Sequence, residues 1–322
     1  MKFPNNKLFA FSILDDTDDS TLKNIQPVYE MLWELGFRTT KTVWPFDSPE
    51  GSPIYFAAET LQNEAYLEYI HTLLDRGFEL AFHGATMEPS RRDRTLRGLE
   101  YFNNEFGKYP RLFCNHGYNR ENIYWGQKRF QSKLFRYIFR LAEKYKKKHR
   151  YIAAAVEDPN FWDGEREISE YYWGDLCKRH IQYVRNFTFK RLNSLEVNPE
   201  MPYKLHQTGY VNYWFSTADA PDVDSFNKLF TFERIDDLER SGGVCLLSTH
   251  LGKEFANNGK VNSNALKILK YIASKNGWFV PVSTILDFLL EKKESSVELT
   301  DYQCFRLEFR FIIENILGIK NH

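Results

Sequence analysis

The sequence predicts an α/β protein built on a parallel sheet, either open or closed into a barrel. Short apolar runs alternate with amphipathic helical stretches along most of the chain, the pattern of repeated strand–helix crossovers. Several helical stretches stop at glycines, namely Gly36, Gly77, Gly107 and Gly277, as helix ends commonly do. Polar residues gather where apolar runs finish: Asp15 and Asp16 after SIL, His83 after ELAF, His116 after LFCN, and His250 after LLST.

Leu8 to Leu14 reads as a buried strand. The helix after it has an apolar face of Leu22, Ile25, Val28, Leu32 and Leu35, with Asp19 or Ser20 as its cap and Pro27 marking a kink or the first turn. FRTTKTVW is the next strand. Residues 59–76 form a helix, 78–83 a strand, 90–106 a polar-faced helix and 111–116 another strand. Residues 127–149 read as a long basic helix, 157–170 as loop and 171–185 as helix, with strands at 187–192 and 210–217. Residues 244–250 are a strand, NALKILKYIASKN is a helix, WFVPV a short strand, and STILDFLLEKK a helix capped by Ser283. The tail from 294 opens polar and ends in an apolar helix that docks on the domain or forms an oligomer contact; the oligomeric state is not legible. No internal repeat or low-complexity segment interrupts the pattern.

Composition removes some classes. Lys plus Arg and Asp plus Glu are 43 each, so the formal net charge is zero. The broad basic field expected of a nucleic-acid binder is absent. Cys114, Cys177, Cys245 and Cys304 form no C-x-x-C pair, which argues against a disulfide framework or structural zinc and suits a reducing compartment. The first residues carry no signal-peptide pattern, and no run of about 18 apolar residues is present. A soluble cytoplasmic protein is expected.

In parallel α/β folds, reacting groups collect at the C-terminal strand edge. Carboxylates and imidazoles there suit a divalent metal with an open position for water, whose acidity the metal raises. One aspartate would bind metal and its neighbour would accept a proton. Asp18 and Asp19 read most simply as helix N-terminal residues favoured by the dipole.

These motifs resemble the polysaccharide deacetylase family of metal-dependent carbohydrate esterases. SILDDTD resembles the family's first motif, GFELAFHG its second at Gly77, Glu79 and His83, and GGVCLLSTHLGKEF with NGWFVPVSTILDFL its last. The resemblance covers roughly residues 8–118 and 205–291. It implies a distorted seven-stranded (β/α) barrel over 1–292, with an insertion at about 125–204 and a tail at 293–322. It implies Asp15 as general base, Asp16 and His83 as metal ligands, and His250 as the acid that protonates the leaving group. Leu247 would lie near the acyl pocket, and Glu79 would either support His83 or form a surface ion pair. Met87 stands where the family has its second histidine, so His116 is the substitute ligand, with a substrate contact or a structural role as alternatives. Thr17 replaces the usual glycine, and the arginine-proline motif is absent. Asn115, Tyr118, Asn119, Trp214 and Asp219 are the candidate substrate contacts, Trp214 being equally a core residue, and His206 is a structural or rim residue.

The implied activity is metal-dependent removal of an acetyl or other small acyl group from an amino sugar or glycan precursor, hydrolysing a C–N amide with zinc as the expected ion, in surface-polysaccharide biosynthesis. Two other readings stand beside it. One is a catalytically inactive relative that binds glycan or a partner. The other is a glycosidase, which needs carboxyl groups about 5 to 9 Å apart. The basic helix at 127–149 is either a packed amphipathic helix or a peripheral membrane contact.

Overall fold

The computed structural model describes residues 2–49, 52, 58–145, 158, 161–293 and 296–316. Its centre is a closed barrel of seven parallel strands: β1 (Phe9–Asp15), β2 (Thr40–Val43), β3 (Glu79–Phe82), β4 (Leu112–Phe113), β5 (Tyr183–Phe189), β6 (Tyr213–Asp219) and β7 (Val244–Thr249). The strands pair in chain order, and β7 returns to pair with β1 from Ala10↔Val244 to Asp15↔Thr249. After a small hairpin of β8 (Ala256–Asn257) and β9 (Lys260–Val261), a short β10 (Gly277–Phe279) pairs with the beginning of β1, while β2 pairs with its end. One edge of β1 therefore serves two partners. The expectation of an α/β barrel with seven strands is met.

The helices cover the barrel. They include α1 (Leu22–Glu34), α2 (Glu64–Asp75), α3 (Arg92–Phe106), α4 (Lys133–Tyr145) and, near the C-terminus, α5 (Asp301–Phe311). Strand β1 is buried along its full length, so both of its faces are covered, as expected of a parallel strand inside an α/β barrel. Its alternation still decides where side chains go. Phe9, Phe11 and Ile13 pack outward with Ile25, Val28 and Leu32 of α1. Ala10 and Leu14 pack inside the barrel with Leu112, Phe215 and Leu246.

Several expected elements shift. Helix α1 begins at Leu22 with Thr21 as its cap, whose N–H donates to Asn24 Oδ1 at 2.8 Å. Neither Asp19 nor Ser20 caps it, and Pro27 lies past the first turn. The expected helix at 171–185 ends at His180, and Tyr183 already belongs to β5. Thus the stretch read as an insertion, 125–204, supplies a barrel strand. The long basic helix is a 3-10 turn at Gly126–Arg129 followed by α4; its residues 146–149 lie outside the described residues. The helix at Val282–Glu291 is capped by Pro281, and the Ser283 N–H donates instead to Glu79. No described helix is long and apolar enough to cross a membrane.

Candidate metal centre

The site forms where β1, β3, β4 and β7 end. Strand β1 delivers Asp15 and Asp16 to opposite sides. Asp15 keeps the outward phase of Phe11 and Ile13. Its carboxylate accepts from Tyr29 Oη at 2.8 Å, Lys41 Nζ at 2.9 Å and the Leu251 N–H at 2.8 Å. The Asp15 and Lys41 side chains are both fully buried. Asp15 does not line the cavity at the barrel mouth, whereas Asp16, next in the chain, does.

Asp18 joins it there. Between β1 and α1 the chain turns through Asp19, at φ 60°, and the Ser20 N–H donates to the Thr17 carbonyl. The turn delays the helix and carries Asp18 back into the mouth, where it is buried. It is therefore not the helix N-terminal residue expected from its position. Asp19 is the more exposed of the two, 3.6 Å from Lys253.

Three imidazoles face these carboxylates, each held by its other nitrogen. His83 Nδ1 lies 2.9 Å from the Cys114 carbonyl, His116 Nδ1 2.9 Å from Asn119 Oδ1, and His250 Nδ1 2.6 Å from the Pro221 carbonyl. All three partners are acceptors, so each Nδ1 carries the proton. In a neutral ring Nε2 then presents a lone pair. Each Nε2 points at carboxylate oxygens: His83 lies 3.6 Å, His116 3.7 Å and His250 3.7 Å from Asp18, and His83 lies 2.6 Å from Asp16. Lone pairs face ionised carboxylates, an arrangement that calls for a proton or a cation between them.

The spacing distinguishes the two carboxylates. Donors around one zinc-sized ion at about 2.1 Å stand about 3.4 Å apart. Asp18, His83 and His116 form such a group, and Asp16, Asp18 and His250 form a second, the ligand atoms of each lying within 4.8 Å of one another. The 2.6 Å approach of Asp16 to His83 is too short for two ligands of one ion. The Asp16 Oδ1, Asp18 Oδ1 and His83 Nε2 atoms are buried and face one another. The side chains present thus fit a divalent metal, with Asp18 in the group that also contains His83 and His116.

Asp16 is instead held by Arg185, 3.4 Å away, whose guanidinium also donates to Ser248 Oγ at 2.5 Å and lies 3.4 Å from the Asn115 carbonyl. Burial would raise the Asp16 pKa, but His83, His250 and Arg185 together hold it well below the usual carboxylate range. Asp18 is held down in the same sense, against burial, by His116 and His83. Burial would lower His83, yet the Asp16 and Asp18 charges raise it to about 9. Burial dominates at His116 and lowers it. Without metal, His83 carries the proton.

A pH dependence follows. His83 has a folded pKa above its ordinary 6.5, so its contribution to stability is full below about pH 6.5 and disappears as pH rises through about 9. Chelator-treated protein should lose of order 3 kcal/mol across that interval, whereas zinc-loaded protein should not. Denaturant melts at both pH values, with and without metal, test this; equal loss in both forms contradicts it.

The remaining candidates separate clearly. The Asn115 side chain is occupied by the main chain of Ile123, at 2.8 and 3.2 Å. Asn119 positions His116 and donates to Glu121 at 2.8 Å and the Thr86 carbonyl at 3.0 Å. Burial raises Glu121 to about 8. Gly84, just after His83, adopts φ 125°, and a Cβ there would stand 3.1 Å from Asn119 Nδ2, so this support needs glycine. Tyr118 and Asp219 line the cavity; burial raises Asp219. Trp214 is core, its indole N–H donating to Thr208 at 2.9 Å. Leu247 is also core. Glu79 sits at the opposite end of β3 from His83, where Thr40 donates to it at 2.6 Å. His206 is exposed beside Glu298. Met87 packs on Trp44, whose ring stacks on His83 at 5.3 Å and meets His116 edge-on at 5.3 Å.

The cavity measures about 310 Å³ and also has Trp125, Arg129, Arg185, Phe311 and Asn315 in its wall. None of these was anticipated from sequence. A charged residue within QYVRNFTF is the one available signal for Arg185.

The fold and site define a deacetylase-type barrel with a candidate metal centre. A Mycobacterium smegmatis protein assigned as a polysaccharide deacetylase matches at a TM-score of 0.50 and 12% identity, covering 93% of this chain and 96% of that one. Peptidoglycan deacetylase PdaC from Bacillus subtilis matches at 0.43 and 12%, covering 91% and 95%. The Xyl-CE4 domain of a xylanase from the hindgut metagenome of Trinervitermes trinervoides matches at 0.39 and 13%, covering 92% and 96%. No family model and no curated protein matches the sequence. The chain has the polysaccharide deacetylase fold in a divergent form.

Proposed function

We propose that the protein is a metal-dependent hydrolase that removes an acetyl or other small acyl group from an amino sugar or glycan precursor, in the setting of surface-polysaccharide biosynthesis. The observation that carries this reading is the convergence of Asp18, His83 and His116 with Asp16 and His250 at one barrel mouth.

Asp18, His83 and His116 would hold the divalent ion, and their donor chemistry favours zinc. When bound, such an ion polarises an acyl carbonyl and makes a water more acidic. Asp16 is the proton acceptor in this scheme: it is ionised, oriented by Arg185, and adjacent to the ligand group. Water oxygen bonds to the acyl carbon as its proton passes to Asp16. His250 Nε2, 4.0 Å from Asp16, takes up that proton and supplies it to the nitrogen as the C–N bond breaks, its Nδ1–H anchored on Pro221. Tyr118, on the cavity wall, offers its main-chain N–H to the developing negative charge, as the resemblance implies.

The test is acetate release from N-acetylated amino-sugar oligomers by zinc-loaded protein. Release by the wild type that disappears in His250→Ala is expected. No release from any acetylated glycan by a fully loaded, folded protein would reject the hydrolase reading.

A further inference from the structure

The cavity holds two buried arginines with opposite circumstances. Arg185 is committed to Asp16, Ser248 and Asn115. Arg129 is 8% exposed and makes no hydrogen bond or ion pair among the described residues. Its guanidinium lies within 4.3 Å of the Trp125 ring centroid, 4.8 Å of Phe311, 5.3 Å of Phe187 and 5.7 Å of Phe139. Rings of this kind hold a cation in place by their faces while leaving its N–H groups unused. Burial lowers Arg129 to about 9, with Glu143 pulling the other way from beyond hydrogen-bond contact. It therefore remains charged at neutral pH.

We infer that Arg129 is an anion-binding subsite, which takes a carboxylate or phosphate carried by the substrate while the acyl group lies at the metal centre. This deepens the deacylase reading and rests on it. The guanidinium fork matches planar carboxylates and phosphates. A charge buried without a partner is unfavourable, and a ligand anion completes it. The cavity shared with Asp16, Asp18 and His250 is about 310 Å³, at the small end of the ~300–1,000 Å³ usual for ligand sites. The anion therefore belongs to the acylated sugar or to its neighbour. Asn315, whose amide donates to the Thr188 carbonyl at 3.0 Å, and Phe311 bring the C-terminal segment into the same wall, so that segment helps select the ligand.

The test compares wild type, Arg129→Met and Arg129→Lys at equal zinc loading, by calorimetric titration with inorganic phosphate, glucuronic acid and neutral N-acetylglucosamine. Arg129→Met should bind at least one of the two anions tenfold or more weaker, and the neutral sugar within twofold of wild type. Arg129→Lys should fall between, because it keeps charge but loses the fork. The stronger anion tells phosphate from carboxylate. Equal anion binding in wild type and both variants overturns the subsite, as does equal weakening for neutral and charged probes. If Arg129→Met fails to fold, anion binding by Arg129→Lys and its salt dependence decide the question. Arg129-dependent binding without acetate release from any glycan would sink the deacylase reading alone; acetate release with no Arg129-dependent binding would sink the subsite alone.

Discussion

Asp16→Asn should reduce turnover of an acetylated sugar by about 10²–10⁴-fold, the range for losing a positioned proton acceptor, while retaining zinc. Asp15→Asn should behave in the opposite manner. Its loss falls on the fold, because Asp15 compensates the fully buried Lys41 and accepts from Tyr29 and the Leu251 N–H. Removing one partner of a buried ion pair typically costs about 3–5 kcal/mol, since the other charge is left uncompensated. Asn keeps the shape but not the charge. Denaturant melts, zinc content and kcat measured on both variants separate the two roles. An Asp15→Asn protein that is fully stable yet inactive would return the proton-accepting role to Asp15. An Asp16→Asn protein with wild-type kcat would remove Asp16 from the chemistry.

The contrast also shows what the sequence could and could not disclose. The ends of β1, β3, β4 and β7 were legible because strand boundaries and parallel topology place polar residues at one mouth. Which of Asp15 and Asp16 faces inward was not, because both faces of β1 are covered and no clear apolar–polar alternation marks the inner one. Asp18 was hidden by the turn at Asp19, which postpones the helix to Leu22 and turns a position suited to the helix dipole into a barrel-mouth carboxylate. Arg185 was hidden by a boundary error: with a helix read to 185, the arginine lay outside the strand that carries it. Arg129 was absorbed into a helix that does not start until Lys133. Glu79 and Trp214 each kept two readings for a simpler reason. Position along a strand says nothing of which barrel end a charge occupies until the strand's direction is fixed, and aromatic character does not tell core from groove.

Asp18→Ala should abolish zinc binding, the second large effect. Elemental analysis of protein purified without added metal should find about one divalent ion per wild-type chain and little in Asp18→Ala or His83→Ala. The stability response gives an independent readout. In metal-free protein, Asp18 and Asp16 crowd negative charge beneath three imidazoles, and their charges hold His83 protonated. Zinc binding removes that strain, and each hundredfold excess of free metal over Kd adds about 2.7 kcal/mol to wild-type stability. Asp18→Ala should lose this response while its chelator-treated form stays folded. Below about pH 9, loading wild type displaces the His83 proton, so apparent affinity should rise with pH up to that point. Calorimetry in two buffers of different ionisation enthalpy reads the released proton directly. Zinc retained by Asp18→Ala but lost by Asp16→Asn would move the carboxylate ligand to Asp16 and exchange the roles argued for the two residues.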